Sequence, residues 1–154
     1  MNSNKIVWGK PPSDNISLDD CLWYHIMEVP GLDKPTEGLF DCREDIDNIF
    51  GNLDFKNKTV LNLGQSTGYL NFAAEERGAD VTSIDLDVNS MERDWVPRVN
   101  ENWKKDLKQF MDDERRRRNA FWYAHKALNS KSKLIISHIN NLPKEVGKYD
   151  IGLS

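Results

Sequence analysis

Two short stretches carry the residue types that could do chemistry. In Thr59-Val60-Leu61-Asn62-Leu63-Gly64-Gln65-Ser66-Thr67-Gly68-Tyr69-Leu70 an apolar run enters a glycine-bounded turn, and Val81-Thr82-Ser83-Ile84-Asp85-Leu86-Asp87 is a second apolar run that ends on acids. Gly64 and Gly68 suit a turn whose backbone passes close to a ligand, because glycine takes positive φ without steric penalty. Gln65 and Ser66 lie inside that turn. A helix starting near Tyr69 would aim free amides and its positive dipole end at a carboxylate or phosphate. Asp85, followed by Leu86, lies about 17 residues after Gly68, near the roughly 20 expected of a ribose-binding acid. The chemistry implied is that of a nucleoside-like ligand. The plain alternative for Asp85 is an acid that solvates a strand end, and Asp87 reads as a loop acid.

The elements that must position these residues follow from the pattern. Val60, Leu61 and Leu63 predict a short strand buried on both faces. Residues from about Tyr69 to Arg77 predict a helix with Leu70, Ala73 and Ala74 toward the sheet, stopped by Gly78. Upstream, Met1 to Asp14 is polar and reads as extended or loosely ordered. Ser17 and Asp20 suggest a helix start, with Leu22, Trp23, Ile26 and Met27 as an apolar face ended by Pro30-Gly31. Arg43 to Phe50 predicts a helix with Ile46, Ile49 and Phe50 inward. Residues 89–100 look loop-like, with Trp95 and Pro97. Glu101 to Leu128 predicts one or two helices, with Phe121, Trp122 and Tyr123 as core and rim. Leu134-Ile135-Ile136 and Tyr149 to Leu153 predict a third and a fourth strand.

The segments VLNLGQSTGYLNFAAEERGADVTSIDLD and KYDIGLS resemble the first, second and fourth strand motifs of class I S-adenosylmethionine-dependent methyltransferases. Trp23-Tyr24-His25, the run Gly38 to Arg43 and the run Asn119 to Lys131 are similar to the group containing tRNA wobble-uridine methyltransferases. The resemblance implies an α/β fold: an incomplete Rossmann-like methyltransferase sheet, order 3-2-1-4, with helices on both faces. Residues 1–50 would be a helical lead-in packed near the carboxyl ends of the strands, and 51–154 the S-adenosylmethionine-binding domain. It further implies a cofactor site of Asn62, Gly64, Gln65, Ser66, Gly68, Asp85, Leu86, His138, Ile139 and Asn141, with His25 over the pocket and Arg43 as a clamp on the methionyl carboxylate. The ligand would be S-adenosylmethionine or S-adenosylhomocysteine, with tRNA as a possible acceptor. Asn62 stands where the family usually carries an acid, and Ser66 where it usually has a glycine. His138 and Asn141 occupy positions where an acid is common; either could accept from an exocyclic amine, His138 only when neutral.

Other readings stay open at three places. His25 beside aromatics also suits a packing histidine with one satisfied nitrogen. Arg43 could equally form a surface ion pair with Asp41, Glu44 or Asp45. Arg115 to Arg118 directly follow Asp112-Asp113-Glu114, which favours a solvated, charge-compensated helix face over an RNA-binding one.

The bulk properties of the 154 residues fit one domain that can bury a core. A net charge of −4 gives no general attraction to RNA or to a membrane surface. Cys21 and Cys42 lack metal-ligand spacing, and a reduced cytoplasmic pair is the expectation. No run approaches the roughly 20 apolar residues of a membrane span. Family members continue past the fourth strand; this chain reads as a truncated form that binds cofactor at most, and the exposed edge of its fourth strand predicts a homodimer. A non-catalytic nucleoside-binding or self-associating remnant is the alternative. A nicotinamide dinucleotide domain is disfavoured because the turn lacks the G-x-G-x-x-G spacing.

Overall fold

The computed structural model describes residues 5–90 and 103–154. Most of the loop expected over 89–100, with Trp95 and Pro97, lies outside the described residues. The fold is α/β, built on four parallel strands in the order β3-β2-β1-β4, with helices around the sheet. These are β1 Thr59–Leu63, β2 Asp80–Asp85, β3 Lys133–Ile136 and β4 Ile151–Leu153. In register, Leu63 lies beside Ile84 and Asp85 beside Ile136. The Gly64 N–H donates to the Ile84 carbonyl at 2.9 Å, and the Ser137 N–H to the Asp85 carbonyl at 2.9 Å. The turn after β1 and the ends of β2 and β3 therefore share one rim.

Burial in β1 is one-sided. Val60 and Asn62 are buried, while Leu61 is half-buried and Leu63 exposed. Strand residues alternate faces, and the even positions of β1 look toward helix α2, Tyr69–Glu76. The expected burial on both faces of β1 is thus corrected to one. In α2, Ala73 and Ala74 are buried and Leu70 is half-buried, as the pattern predicts. Gly78, at φ +93°, follows its end. The long helix α3, Trp103–Ala127, packs Ala120, Phe121 and Ala124 into the core with no exposed surface. Phe121 stacks on Phe72 of α2 at 5.6 Å between ring centroids. No helix among the described residues is long and apolar enough to cross a membrane.

The first fifty residues differ most from expectation. The helix expected from Ser17 shrinks to a 3-10 turn, Leu18–Asp20, and residues 22–29 are non-helical. The buried positions there are Cys21, Trp23, Met27 and Val29, all odd-numbered. That is the period of an extended strap, not of a helix. The strap crosses α3, where the Leu22 N–H donates to the Arg116 carbonyl, and it shares a core cluster with Phe72, Phe121 and Leu134. It turns back so that Ile26 N–H meets the Phe40 carbonyl at 2.8 Å. Gly38 sits so close that a Cβ would lie 2.3 Å from the His25 carbonyl carbon. Helix α1, Ile46–Phe50, is shorter than expected; Ile46 and Phe50 are buried but Ile49 faces out. Further upstream, Val7 to Gly9 lie along the outer edge of β3, with Gly9 N–H to Leu134 carbonyl at 2.8 Å and Ile136 N–H to Val7 carbonyl at 2.9 Å.

Candidate functional site

The turn from Gly64 to Gly68 alternates left-handed residues: Gly64 at φ +78°, Ser66 at φ +50° and Gly68 at φ +87°. It closes with Gly68 N–H on the Gln65 carbonyl at 2.8 Å. The two glycines do different work. Space beside Gly64 is open, so a ligand could approach its backbone there. A Cβ on Gly68 would instead collide with Phe121 and Phe72, so this glycine is required by helix packing. Gly68 is also the N-cap of α2, and no side chain caps that helix end. The first-turn amides of α2 thus lack a side-chain acceptor, the usual setting for an anion or polar guest.

Asn62 and Gln65 are turned away from this opening into the core. Asn62 Nδ2 donates to Asn71 Oδ1 at 2.6 Å. Asn71 Nδ2 donates to the hydroxyls of Ser83 at 3.1 Å and Ser132 at 3.0 Å. The Ser83 hydroxyl donates to Gln65 Oε1 at 2.9 Å. All five residues are buried. Asn62 Oδ1, Gln65 Nε2 and Thr67 Oγ1 are buried without a hydrogen-bond partner among the described residues. Such orphan groups are rare, and a polar guest or water beneath the turn would satisfy them.

Asp85 ends β2 on the same rim. Its Oδ1 accepts the Leu86 N–H at 2.8 Å, and its Oδ2 lies 3.3 Å from Nη2 of Arg118 on α3. The same Nη2 donates to the Leu86 carbonyl at 3.0 Å. Burial pushes the Asp85 carboxyl up from its ordinary range; Arg118 and the Leu86 amide work against that shift. One turn earlier on α3, Glu114 pairs with Arg117. Burial raises the Glu114 carboxyl too, Arg117 opposes this, and Asp85 adds to it.

His138 follows β3 and caps the 3-10 turn Ile139–Asn141: its Nδ1 accepts the Asn140 N–H at 3.1 Å. That ring nitrogen is therefore already engaged. Ile139 is exposed, and the Asn141 N–H is spent on the His138 carbonyl. His25 stacks on Tyr69, the residue after Gly68, at 5.3 Å between centroids. Its Nδ1 is buried and has no partner among the described residues, and burial pushes the imidazole pKa down. Tyr24 and Phe40 complete this aromatic group, with Arg117 over the Tyr24 ring at 5.7 Å.

Arg43 takes the ion-pair alternative. It grips Asp41 through two bonds of 2.8 and 2.7 Å and reaches Glu28 at 3.3 Å, which holds the Asp41 carboxyl down at about 2. It borders a cleft of about 1000 Å³ that runs along the flank of α2, past Val29, Tyr69, Phe72 and Ser130. That cleft does not include Gly64, Asp85 or His138. The rim thus gathers Gly64, Ser66, Gly68, Asp85, Leu86 and the residues around His138, with His25 reached through Tyr69; Asn62 and Gln65 lie beneath it and Arg43 apart. No group of three or more His, Cys, Asp or Glu residues among the described residues could hold a metal ion.

Sequence reasoning missed Arg118 and the network around Asn71. The four arginines do not form one solvated face. Arg115 pairs with Asp112 at 2.6 Å, but Arg116 donates to the Cys21 carbonyl, and Arg118 donates to the Leu86 carbonyl and forms an ion pair with Asp85. The signal was helical spacing: Arg117 and Arg118 lie one turn before Phe121, on the side of α3 that faces the core.

Comparison of the chain with protein-family models, with curated proteins and with solved structures finds no match.

Proposed function

We propose that the rim between the Gly64–Gly68 turn and Asp85 binds the adenosyl part of S-adenosylmethionine or S-adenosylhomocysteine, and that the chain carries the cofactor-binding part of a class I methyltransferase. The observation that supports this most is the parallel register. It sets an uncapped helix N-terminus, an open glycine backbone and a half-buried acid side by side at the carboxyl end of the sheet. Ligands of open α/β sheets bind at that end. Gly64 and Ser66 would border the ligand, Asp85 would take ribose hydroxyls, and His138 and Asn141 would stand near the base. The bound cofactor would supply the electrophilic methyl group; the protein's part is alignment and exclusion of water. His25, uncharged and stacked on Tyr69, would wall the pocket without repelling a sulfonium. The methyl acceptor, tRNA by resemblance, lies beyond these contacts.

Calorimetry with S-adenosylhomocysteine, with NAD as the comparison ligand, tests the reading. Binding of the first and not of the second is expected. Asp85→Ala should weaken that binding by about 1.5–3 kcal/mol, the scale of hydrogen bonds to a charged group. Equal affinity in the variant would remove Asp85 from the site.

A further inference from the structure

We propose that Arg118 is a positioning residue that holds Asp85 as an oriented carboxylate, with acceptor positions left free for a vicinal diol. The inference rests on the nucleoside reading above, and its test pairs a ligand-free titration with ligand binding so that failure of either can be told apart. An ionised carboxylate offers about four lone-pair positions. The Leu86 N–H uses one, on Oδ1, while Arg118 lies 3.3 Å from Oδ2 as an ion pair that is not a directed hydrogen bond. The positions left are enough for the 2′- and 3′-hydroxyls of a ribose.

The guanidinium does this from a fixed place. One nitrogen, Nη2, holds both the Asp85 carboxylate and the Leu86 carbonyl, so the acid and the peptide after it are tied to α3 together. The side chains of Arg118 and Asp85 are only 15% and 16% exposed. Desolvation at that depth favours the protonated acid, which carries a proton to give and has fewer positions to accept with. Arginine stays charged at every relevant pH and so opposes that drift throughout. A further charged neighbour is Glu114, of like sign, which is itself paired to Arg117. From the end of β3, beside which Asp85 pairs with Ile136, the Ser137 N–H reaches the Asp85 carbonyl at 2.9 Å.

The experiment is a carbon-detected NMR titration of the Asp85 carboxyl in the wild type, Arg118→Met and Arg118→Lys, with calorimetry of S-adenosylhomocysteine alongside. In Arg118→Met the midpoint should rise by about one pH unit or more. In Arg118→Lys it should stay near the wild-type value. Arg118→Gln, which keeps a donor for the Leu86 carbonyl, carries the same expectation as Met and serves if that variant does not fold. Wild-type binding with a variant loss that deepens as pH falls and recovers as pH rises supports the assignment. Wild-type binding with an unmoved Asp85 midpoint overturns the role of Arg118 and keeps the nucleoside site. A moved midpoint in a protein that does not bind the nucleoside overturns the positioning role and leaves a structural ion pair.

Discussion

A methyl group added at Gly68 would sit 2.6 Å from Phe121 Cδ2 and 2.8 Å from Phe72 Cε2, on a backbone at φ +87°. Overpacking costs about 1–3 kcal/mol and a left-handed alanine about 1–2. Gly68→Ala should therefore lose roughly 2–5 kcal/mol in denaturant unfolding. Gly64→Ala meets no neighbour and should lose only about 1 kcal/mol, while it weakens the proposed ligand. The type and spacing of these glycines marked the turn, but not which one serves packing, because that depends on two phenylalanines brought in by α2 and α3. His25 gives a second test at this scale. Burial lowers its folded pKa below the ordinary 6.5. The unfolded chain then takes up the proton first, so stability is full above about pH 6.5 and falls as pH drops toward the folded value. His25→Phe should flatten that part of a stability-versus-pH curve; an identical slope in both proteins would remove the effect.

Among the elements, α2 depends on one polar residue in its first turn. Asn71 is completely buried, accepts from Asn62 and donates to two serines that belong to different parts of the chain. Asn71→Ala would leave the Asn62 amide and a serine hydroxyl without partners. About 1–3 kcal/mol per stranded group is the expected loss, read as a fall in the urea midpoint at unchanged slope. The strands and α2 were legible because continuous apolar runs and glycine stops are local signals; the strand order came from the family resemblance, not from any local pattern. The strap at 21–29 was misread as helix because Leu22, Trp23, Ile26 and Met27 also satisfy a helical spacing; only its partners, α2 and α3, select the period-two solution. Arg118 was hidden in a charge run for the same reason. Helical spacing puts it on the core side of α3, but its partner is a strand end 33 residues earlier in the chain, which spacing alone does not name.

At the scale of the molecule the two sheet edges differ. β3 is covered by Val7 to Gly9, whereas the outer side of β4 has no strand partner among the described residues. Val7 and Trp8 remain about half exposed, at 54% and 46%, so the cover acts through its backbone bonds more than through burial. A chain begun at Pro11 should stay folded by circular dichroism yet associate at lower concentration, because an uncovered strand edge templates pairing. Unchanged light scattering would show that the segment does not guard the edge.

The same N-terminal strap sets an order in time. Its anchors are remote in sequence: Lys126 Nζ meets the Asp14 carbonyl across 112 residues, and Asn119 meets the Asp20 carbonyl across 99. Closing loops that long comes late and slowly, since chain entropy is lost before any contact rewards it. The β1-α2-β2 unit, by contrast, can assemble from neighbours. During synthesis this segment leaves the ribosome before α3 and β3 and is thus among the last to find its place; until they exist the apolar side of the strap, Cys21, Trp23, Met27 and Val29, has only Phe72 of α2 from the buried residues of its core cluster to cover it.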